Sequence, residues 1–97
     1  MISLDEYVTD VLMRDLVGHD HRPASFLVWL WLAAEEQKRG SPVRISYQDL
    51  SESTGISKSS AQVAIGWLAR RKLVSVSKAA VTATPEYKAL TPWKRLR

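Results

Sequence analysis

The apolar run SFLVWLWLAA, residues 25–34, constrains the fold more than any other feature of the chain. Its apolar side chains fall on every side of a helical wheel, and a helix that is apolar all round has to be covered all round. Pro23 suits the first turn of such a helix, and the charged EEQKRG closes it. We therefore predict a helix over about residues 23–39 as the central post of the fold.

Two tryptophans on this helix leave a second possibility open. Trp29 and Trp31 point roughly 160° apart by helix geometry, so covering both requires much of a small domain. One of them can instead lie in a homodimer interface, where large aromatics are common anchors. We favour the buried central helix and keep Trp29 and Trp31 as candidate dimer-interface residues.

Length and composition narrow the class of protein. A chain of 97 residues fits one domain, and we treat residues 1–97 as a single unit. The absence of cysteine excludes disulfides and thiolate chemistry. The N-terminus is acidic where a signal peptide would be basic, and the longest apolar run is far shorter than the roughly 20 residues that span a bilayer. We expect a cytoplasmic protein without a membrane partner.

The N-terminal segment predicts an amphipathic helix over about residues 3–17. Ser3 and Glu6 have the spacing of a capping box. Apolar residues then recur at helical intervals, with charged residues between them. The predicted inward side chains are Leu4, Tyr7, Val8, Val11, Leu12 and Leu16.

Residues 46–74, SYQDLSESTGISKSSAQVAIGWLARRKLV, predict two capped helices around a glycine turn. Ser46 opens a short helix of about residues 47–53, Gly55 lies in the turn, and Ser57 caps a helix of about residues 58–72. The second helix has one core stripe and one unusual outer face. The stripe is Ala61, Ala64, Ile65 and Leu68; the outer face is Ser59, Gln62, Val63, Gly66 and Arg70.

Charge is distributed very unevenly along the chain. Residues 1–57 carry five Lys/Arg and nine Asp/Glu, whereas residues 58–97 carry nine Lys/Arg and only Glu86. The first part therefore has a net charge of −4 and the second of +8. A basic block of this kind favours a polyanionic partner, most simply nucleic acid, over a merely solvated surface.

A short capped helix, a glycine turn and a second helix with a polar, acid-free face are the layout of a helix-turn-helix. The stretch resembles the winged helix-turn-helix proteins, in the manner of GntR-like and MarR-like regulators and replication-initiator domains. The resemblance covers residues 46 to about 90. Its matching positions are Leu50, Thr54, Gly55, Ile56, Ser57, Ser60, Leu68, Leu73 and Val74.

This resemblance implies an α+β, mainly α, winged helix-turn-helix with an extra N-terminal helix and a two-stranded wing. The helix-turn-helix would span 46–72 and the wing 73–90. Two positions depart from the family pattern, since Ser51 and Ala61 stand where Ala and Val are usual. A glycine-rich wing is also absent, and SKAAVTATPEYKAL stands in its place.

The resemblance implies sequence-specific binding of double-stranded DNA, with transcription regulation by a homodimeric transcription factor as the role. Gln62 is the candidate for reading a base edge, because its amide can pair with adenine. Gly66 is unfavourable in a helix, so its presence requires an explanation. Close approach of α3 to DNA and close approach to the neighbours of Trp67 are equal candidates. The remaining candidate DNA-binding residues are Ser57, Lys58, Ser59, Ser60, Val63, Arg70, Arg71 and Lys78, with Lys94, Arg95 and Arg97 as weaker ones.

Other chemistries find little support. His19 and His21 flank Asp20, but adjacent residues rarely converge on one metal ion, so we predict no metal site. Neither a cofactor motif nor a catalytic motif is present, and we predict that the chain is not an enzyme. A protein-interaction module and a replication or partition initiator remain alternatives. The sequence identifies no small-molecule effector.

Overall fold

The computed structural model describes residues 2–96, with side chains for residues 2–94. An N-terminal helix is followed by helix α1 (Pro23–Arg39), strand β1 (Val43–Arg44), helix α2 (Tyr47–Thr54) and helix α3 (Lys58–Arg70). Strands β2 (Val74–Ser77) and β3 (Glu86–Ala89) and a 3-10 turn (Pro92–Leu96) complete the chain. The three strands form one antiparallel sheet in the order β1-β3-β2. The predicted α+β winged helix with an extra N-terminal helix is confirmed.

The wing differs from the prediction in one respect. Strands β2 and β3 form the predicted hairpin, with Val74 opposite Ala89. The extended segment after α1 joins the same sheet, because Val43 pairs with Tyr87 on the other edge of β3. Val43 and Tyr87 are both fully buried. The sheet is therefore three-stranded and anchors the wing to the core.

The N-terminal helix is mostly π-helical, with segments Val8–Leu12 and Arg14–His19. Its buried residues, Val8, Leu12 and Leu16, are spaced four apart, whereas Val11 is 43% exposed. The predicted capping box is wrong, because the Ser3 backbone exchanges two hydrogen bonds with the Gln37 side chain of α1. Helical structure accordingly starts at Glu6, and Leu4 is exposed.

Helix α1 packs against the N-terminal helix, α2, α3 and strands β1 and β3. Trp29 is 2% exposed, and its Nε1 donates to the Leu90 carbonyl oxygen at 3.3 Å. The prediction that Trp29 lies in a dimer interface is therefore wrong, since its surface is already covered by its own chain. Trp31 is half-buried against the same core.

Serine side chains shape the helix-turn-helix. Ser46 Oγ accepts the Asp49 N–H at 3.1 Å, and Ser57 Oγ accepts the Ser60 N–H at 3.1 Å. Gly55 ends α2 with φ of 82°, a left-handed conformation that favours glycine. Ser51 donates its hydroxyl proton to the Ile56 carbonyl oxygen across the turn. This bond gives a physical reason for the serine at a position where the family usually has alanine.

An ion-pair network connects the end of the N-terminal helix to the end of α3. The Arg71 guanidinium pairs with Asp15 and Asp20, and Trp67 Nε1 donates to Asp20 Oδ2 at 2.9 Å. His19 Nδ1 lies 2.9 Å from Asp20 Oδ1. The Asp20 side chain is only 4% exposed, so these partners replace nearly all of its water.

The network shifts the ionisation of Asp20. Burial opposes its charged form, but the hydrogen bonds from His19 and Trp67 and the charge and hydrogen bond of Arg71 outweigh burial. The pKa of Asp20 is therefore held below its usual value. The ionised carboxylate stabilises the folded state.

We predict that Asp20→Asn lowers the free energy of unfolding at pH 7 by about 1.5 to 3 kcal/mol, the range for hydrogen bonds to charged groups. Because the folded pKa is depressed, the contribution of Asp20 is present above its unfolded pKa, about 3.9, and is lost as pH falls through the folded pKa. Denaturant titrations at a series of pH values should show the two proteins converging in acid. Asp10→Asn, at an exposed site on the same helix, is the control; equal effects of both substitutions would contradict the prediction.

Candidate nucleic-acid interface

The exposed face of α3 carries most of the predicted DNA-binding residues. All six of its outer positions are exposed, and Val63 is 54% exposed despite being apolar. The inward stripe of Ala61, Ala64, Ile65 and Leu68 is buried, which fixes the rotation of the helix. The six outer residues are Lys58, Ser59, Gln62, Val63, Gly66 and Arg70.

Few internal contacts engage the outer face: Ser59 Oγ lies 3.3 Å from Ser57 Oγ, and the Arg70 guanidinium lies near the Trp67 ring. Within residues 2–94, neither Gln62 nor Lys58 forms a hydrogen bond or ion pair with another side chain. No aspartate or glutamate occurs between Lys58 and Pro85 in the sequence. A surface that combines donors, one amide and cations without acid is suited to a negatively charged partner.

The N-terminus of α3 is partly capped from within. Ser57 Oγ accepts the Ser60 N–H and bonds the Ser60 hydroxyl at 2.8 Å. The hydroxyls of Ser57 and Ser60 are thus engaged with each other, and their role includes starting the helix. The first-turn N–H groups of Lys58 and Ser59 have no partner in the described part of the chain. These groups, at the positive end of the helix dipole, favour an anion.

Gly66 has no packing role inside the protein. A Cβ built at this position meets no atom within 4 Å, so the explanation by close contact with the neighbours of Trp67 is wrong. Gly in a helix interior costs about 1 kcal/mol relative to Ala. Close approach of an external molecule remains as a reason for glycine here.

Arg71 requires a correction to the predicted set. Its guanidinium is bound to two carboxylates, and the hydrogen bond and charge of Asp15, against a cost from burial, raise the pKa of Arg71 further. Because two carboxylates already compensate the charge of Arg71, this residue attracts a phosphate only weakly. The sequence could not reveal this pairing, because Asp15 and Asp20 lie some 50 residues earlier in the chain.

The remaining cations occupy different places. Arg70 is exposed at the end of α3, with its guanidinium 5.8 Å from the centre of the Trp67 ring. Lys78 is exposed at the start of the 78–85 loop of the wing, and Val81 in that loop is 91% exposed. Lys94 is exposed near the C-terminus, whereas Arg97 and the Arg95 side chain lie outside the described residues.

Sequence reasoning missed one cation beside the α3 face. Arg22, just before α1, places its guanidinium 4.6 Å from the centre of the Trp67 ring, within range of a cation–π interaction. It forms no ion pair with any described carboxylate. The only hint in the sequence was a tryptophan on α3 two residues before the basic ARRK run, and this hint does not identify Arg22 as its partner.

The histidine loop brings three potential metal ligands together. Oxygen or nitrogen atoms of Asp15, His19 and Asp20 lie within 4.8 Å of one another. Arg71 binds both carboxylates, so one of the two negative charges that would attract a cation is already compensated. His21 is not part of this group.

The fold and the α3 face can now be compared with known proteins. No helix in the described part of the chain is long and apolar enough to cross a membrane. Comparison with curated proteins and with solved structures found no match. A family model described as "Winged helix-turn-helix domain (DUF2582)" matches residues 31–82, more than half of the chain. The chain therefore belongs to this winged helix-turn-helix family.

Proposed function

We propose that the protein binds double-stranded DNA sequence-specifically, as a small cytoplasmic transcription regulator, with residues 1–97 acting as one domain. The observation that carries the proposal is the outer face of α3, which is exposed and free of acid, and on which Gln62 has no partner within residues 2–94. In a helix-turn-helix, the second helix enters the major groove with its N-terminal residues toward the bases. Helix α3 has the corresponding place after α2 and the Gly55 turn.

Two residues of this face suit base contact. Gln62 is exposed without a partner in residues 2–94, and its amide can pair with N6 and N7 of adenine. Val63, beside it, can contact the methyl group of thymine. Lys58, Arg70 and Lys78 would hold phosphates and orient the domain without reading sequence.

A homodimer is part of the proposal. Two copies would read half-sites about one helical turn, roughly 34 Å, apart. Because Trp29 lies in the core, it cannot be a dimer contact. The homodimer is supported instead by an apolar cleft between the N-terminal helix and α1. Its exposed side chains include Met13, Val17 and Leu27. The same cleft favours the second candidate function, a protein-interaction module that does not bind DNA.

The proposal is tested by fluorescence anisotropy of a labelled random-sequence duplex at several salt concentrations. We expect the logarithm of the association constant to fall linearly with the logarithm of salt concentration, by about 0.9 per phosphate neutralised. A slope equivalent to several phosphates supports DNA as the partner and justifies selection of an operator. Absence of binding at low salt would reject the proposal in favour of the interaction module.

We predict that Gln62→Ala reduces the preference for the selected operator at one base pair by about 1 to 3 kcal/mol. The loss should appear as a weaker discrimination among operator variants at that base pair and not as a uniform loss of affinity. Arg70→Ala is the matched comparison, because a phosphate contact should weaken all duplexes equally and lower the salt slope by about one unit. An unchanged operator preference in Gln62→Ala would remove this residue from base readout.

We predict that Gly66→Ala stabilises the protein while weakening its binding to duplex DNA. Alanine should raise the free energy of unfolding by up to about 1 kcal/mol, because the site is helical and has open space around it. The added methyl group would separate α3 from the DNA. Gly18→Ala, at a helical site that is equally open, controls for stability alone. A stabilised Gly66→Ala protein with unchanged affinity would show that DNA does not approach this residue.

A further inference from the structure

A cavity of about 270 Å³ lies between the start of α1 and the first half of α3. Its walls include His21, Arg22 and Ser25 from the α1 side and Ser59 and Ser60 from the α3 side. The volume is slightly below the range of about 300 to 1,000 Å³ that is usual for small-molecule sites. A compact polar group fits such a space better than a large organic ligand does.

The positive ends of two helix dipoles meet at this cavity. Helix α1 begins at Pro23 without a side-chain cap, so the N–H of Ala24, another wall residue, is free of partners in residues 2–94. On the other side the Ser59 N–H is also free. Unpaired N–H groups at a helix start are donors for an anion.

Ser25 provides an independent observation. The residue is 1% exposed and lines the cavity, yet its hydroxyl has no hydrogen-bond partner among the described residues. Burying a hydroxyl without a partner is costly. A bound group with acceptor oxygens would satisfy the Ser25 hydroxyl and the neighbouring N–H groups together.

Arg22 brings a positive charge to the wall of the cavity. Its guanidinium is held over the Trp67 ring and has no carboxylate partner within residues 2–94. Asp15 and Asp20, in the neighbouring loop, are paired with Arg71 instead. None of the residues lining the cavity is acidic. A fixed guanidinium is well suited to a phosphate, which it can bind through two parallel hydrogen bonds.

We propose that this cavity is a phosphate-binding site formed by Arg22, Ser25 and the starts of α1 and α3. The phosphate could belong to the backbone of the duplex that α3 contacts, in which case the inference rests on the proposed function. It could equally belong to a free phosphorylated small molecule. In both cases the same donors recognise the same group, and the two sources are distinguished by experiment.

The first measurement is an NMR titration of the isotope-labelled full chain with inorganic phosphate. If the site takes free phosphate, the amide signals of Ala24, Ser25 and Ser59 should shift and saturate. Arg22→Gln and Ser25→Ala should each weaken the apparent affinity, by at least tenfold for Arg22→Gln. Arg39→Gln removes an exposed charge from the other end of α1 and should leave the titration unchanged.

The second measurement is the salt dependence of binding to the random-sequence duplex by the same variants. If the site takes a backbone phosphate, Arg22→Gln should lower the slope by about one unit on every sequence. Ser25→Ala should weaken binding with little change in slope, and Arg39→Gln should have no effect. Ser25→Ala changes one buried hydroxyl without changing charge, so it separates loss of the site from general loss of attraction.

The outcomes separate the two proposals. Phosphate-dependent shifts without any duplex binding would support the site, assign it to a free phosphate and reject the proposed function. In a further outcome the wild type binds the duplex, Arg22→Gln and Ser25→Ala bind it equally well, and phosphate causes no saturable shifts. This result would overturn the site and leave the proposed function standing. A slope change in Arg22→Gln accompanied by weaker binding of Ser25→Ala would assign the site to the DNA backbone.

Discussion

The placement of α3 depends on one buried carboxylate. Asp20 sits in the loop between the N-terminal helix and α1, and two residues from α3 and its end, Trp67 and Arg71, bind it. A charge that is almost removed from water must be compensated by hydrogen bonds and an opposite charge, or it destabilises the fold. Asp20 has both, so the loop, α1 and the end of α3 are held in one arrangement.

This arrangement also divides the cations into two groups. Arg71 is paired with two carboxylates inside the protein, whereas Arg22 lies over the Trp67 ring and has no carboxylate partner within residues 2–94. Arg22 lines the cavity beside the start of α3, where the helix dipole already favours an anion.

The central helix supplies the rigid support for this surface. Helix α1 packs against α3 and also contacts the sheet and the N-terminal helix. Its covering is nearly complete, as the all-round apolar pattern requires, but Leu27 remains 47% exposed. The same helix therefore holds the core together and leaves an apolar cleft on the side away from the buried Trp29.

The sequence by itself determined the elements that depend on local spacing. Caps at Ser46 and Ser57, the turn at Gly55 and the buried stripe of α3 follow from side chains within a few residues of one another. The resemblance carried by the same stretch predicted the wing hairpin. These features identify the fold and the outer face of α3, including Gln62.

Only the tertiary structure decided which side chains are buried or paired inside the protein and which face outward. Trp29 is core because Leu90 and Trp93, some sixty residues later, cover it. Arg71 is paired, and Arg22 is exposed to a cavity, because the N-terminal loop folds against α3. Contacts between residues fifty or more positions apart leave no periodic pattern in the sequence, since each depends on how several elements pack at once. Local spacing in the sequence thus indicates which face of α3 is exposed, and tertiary packing decides which of the neighbouring arginines are paired.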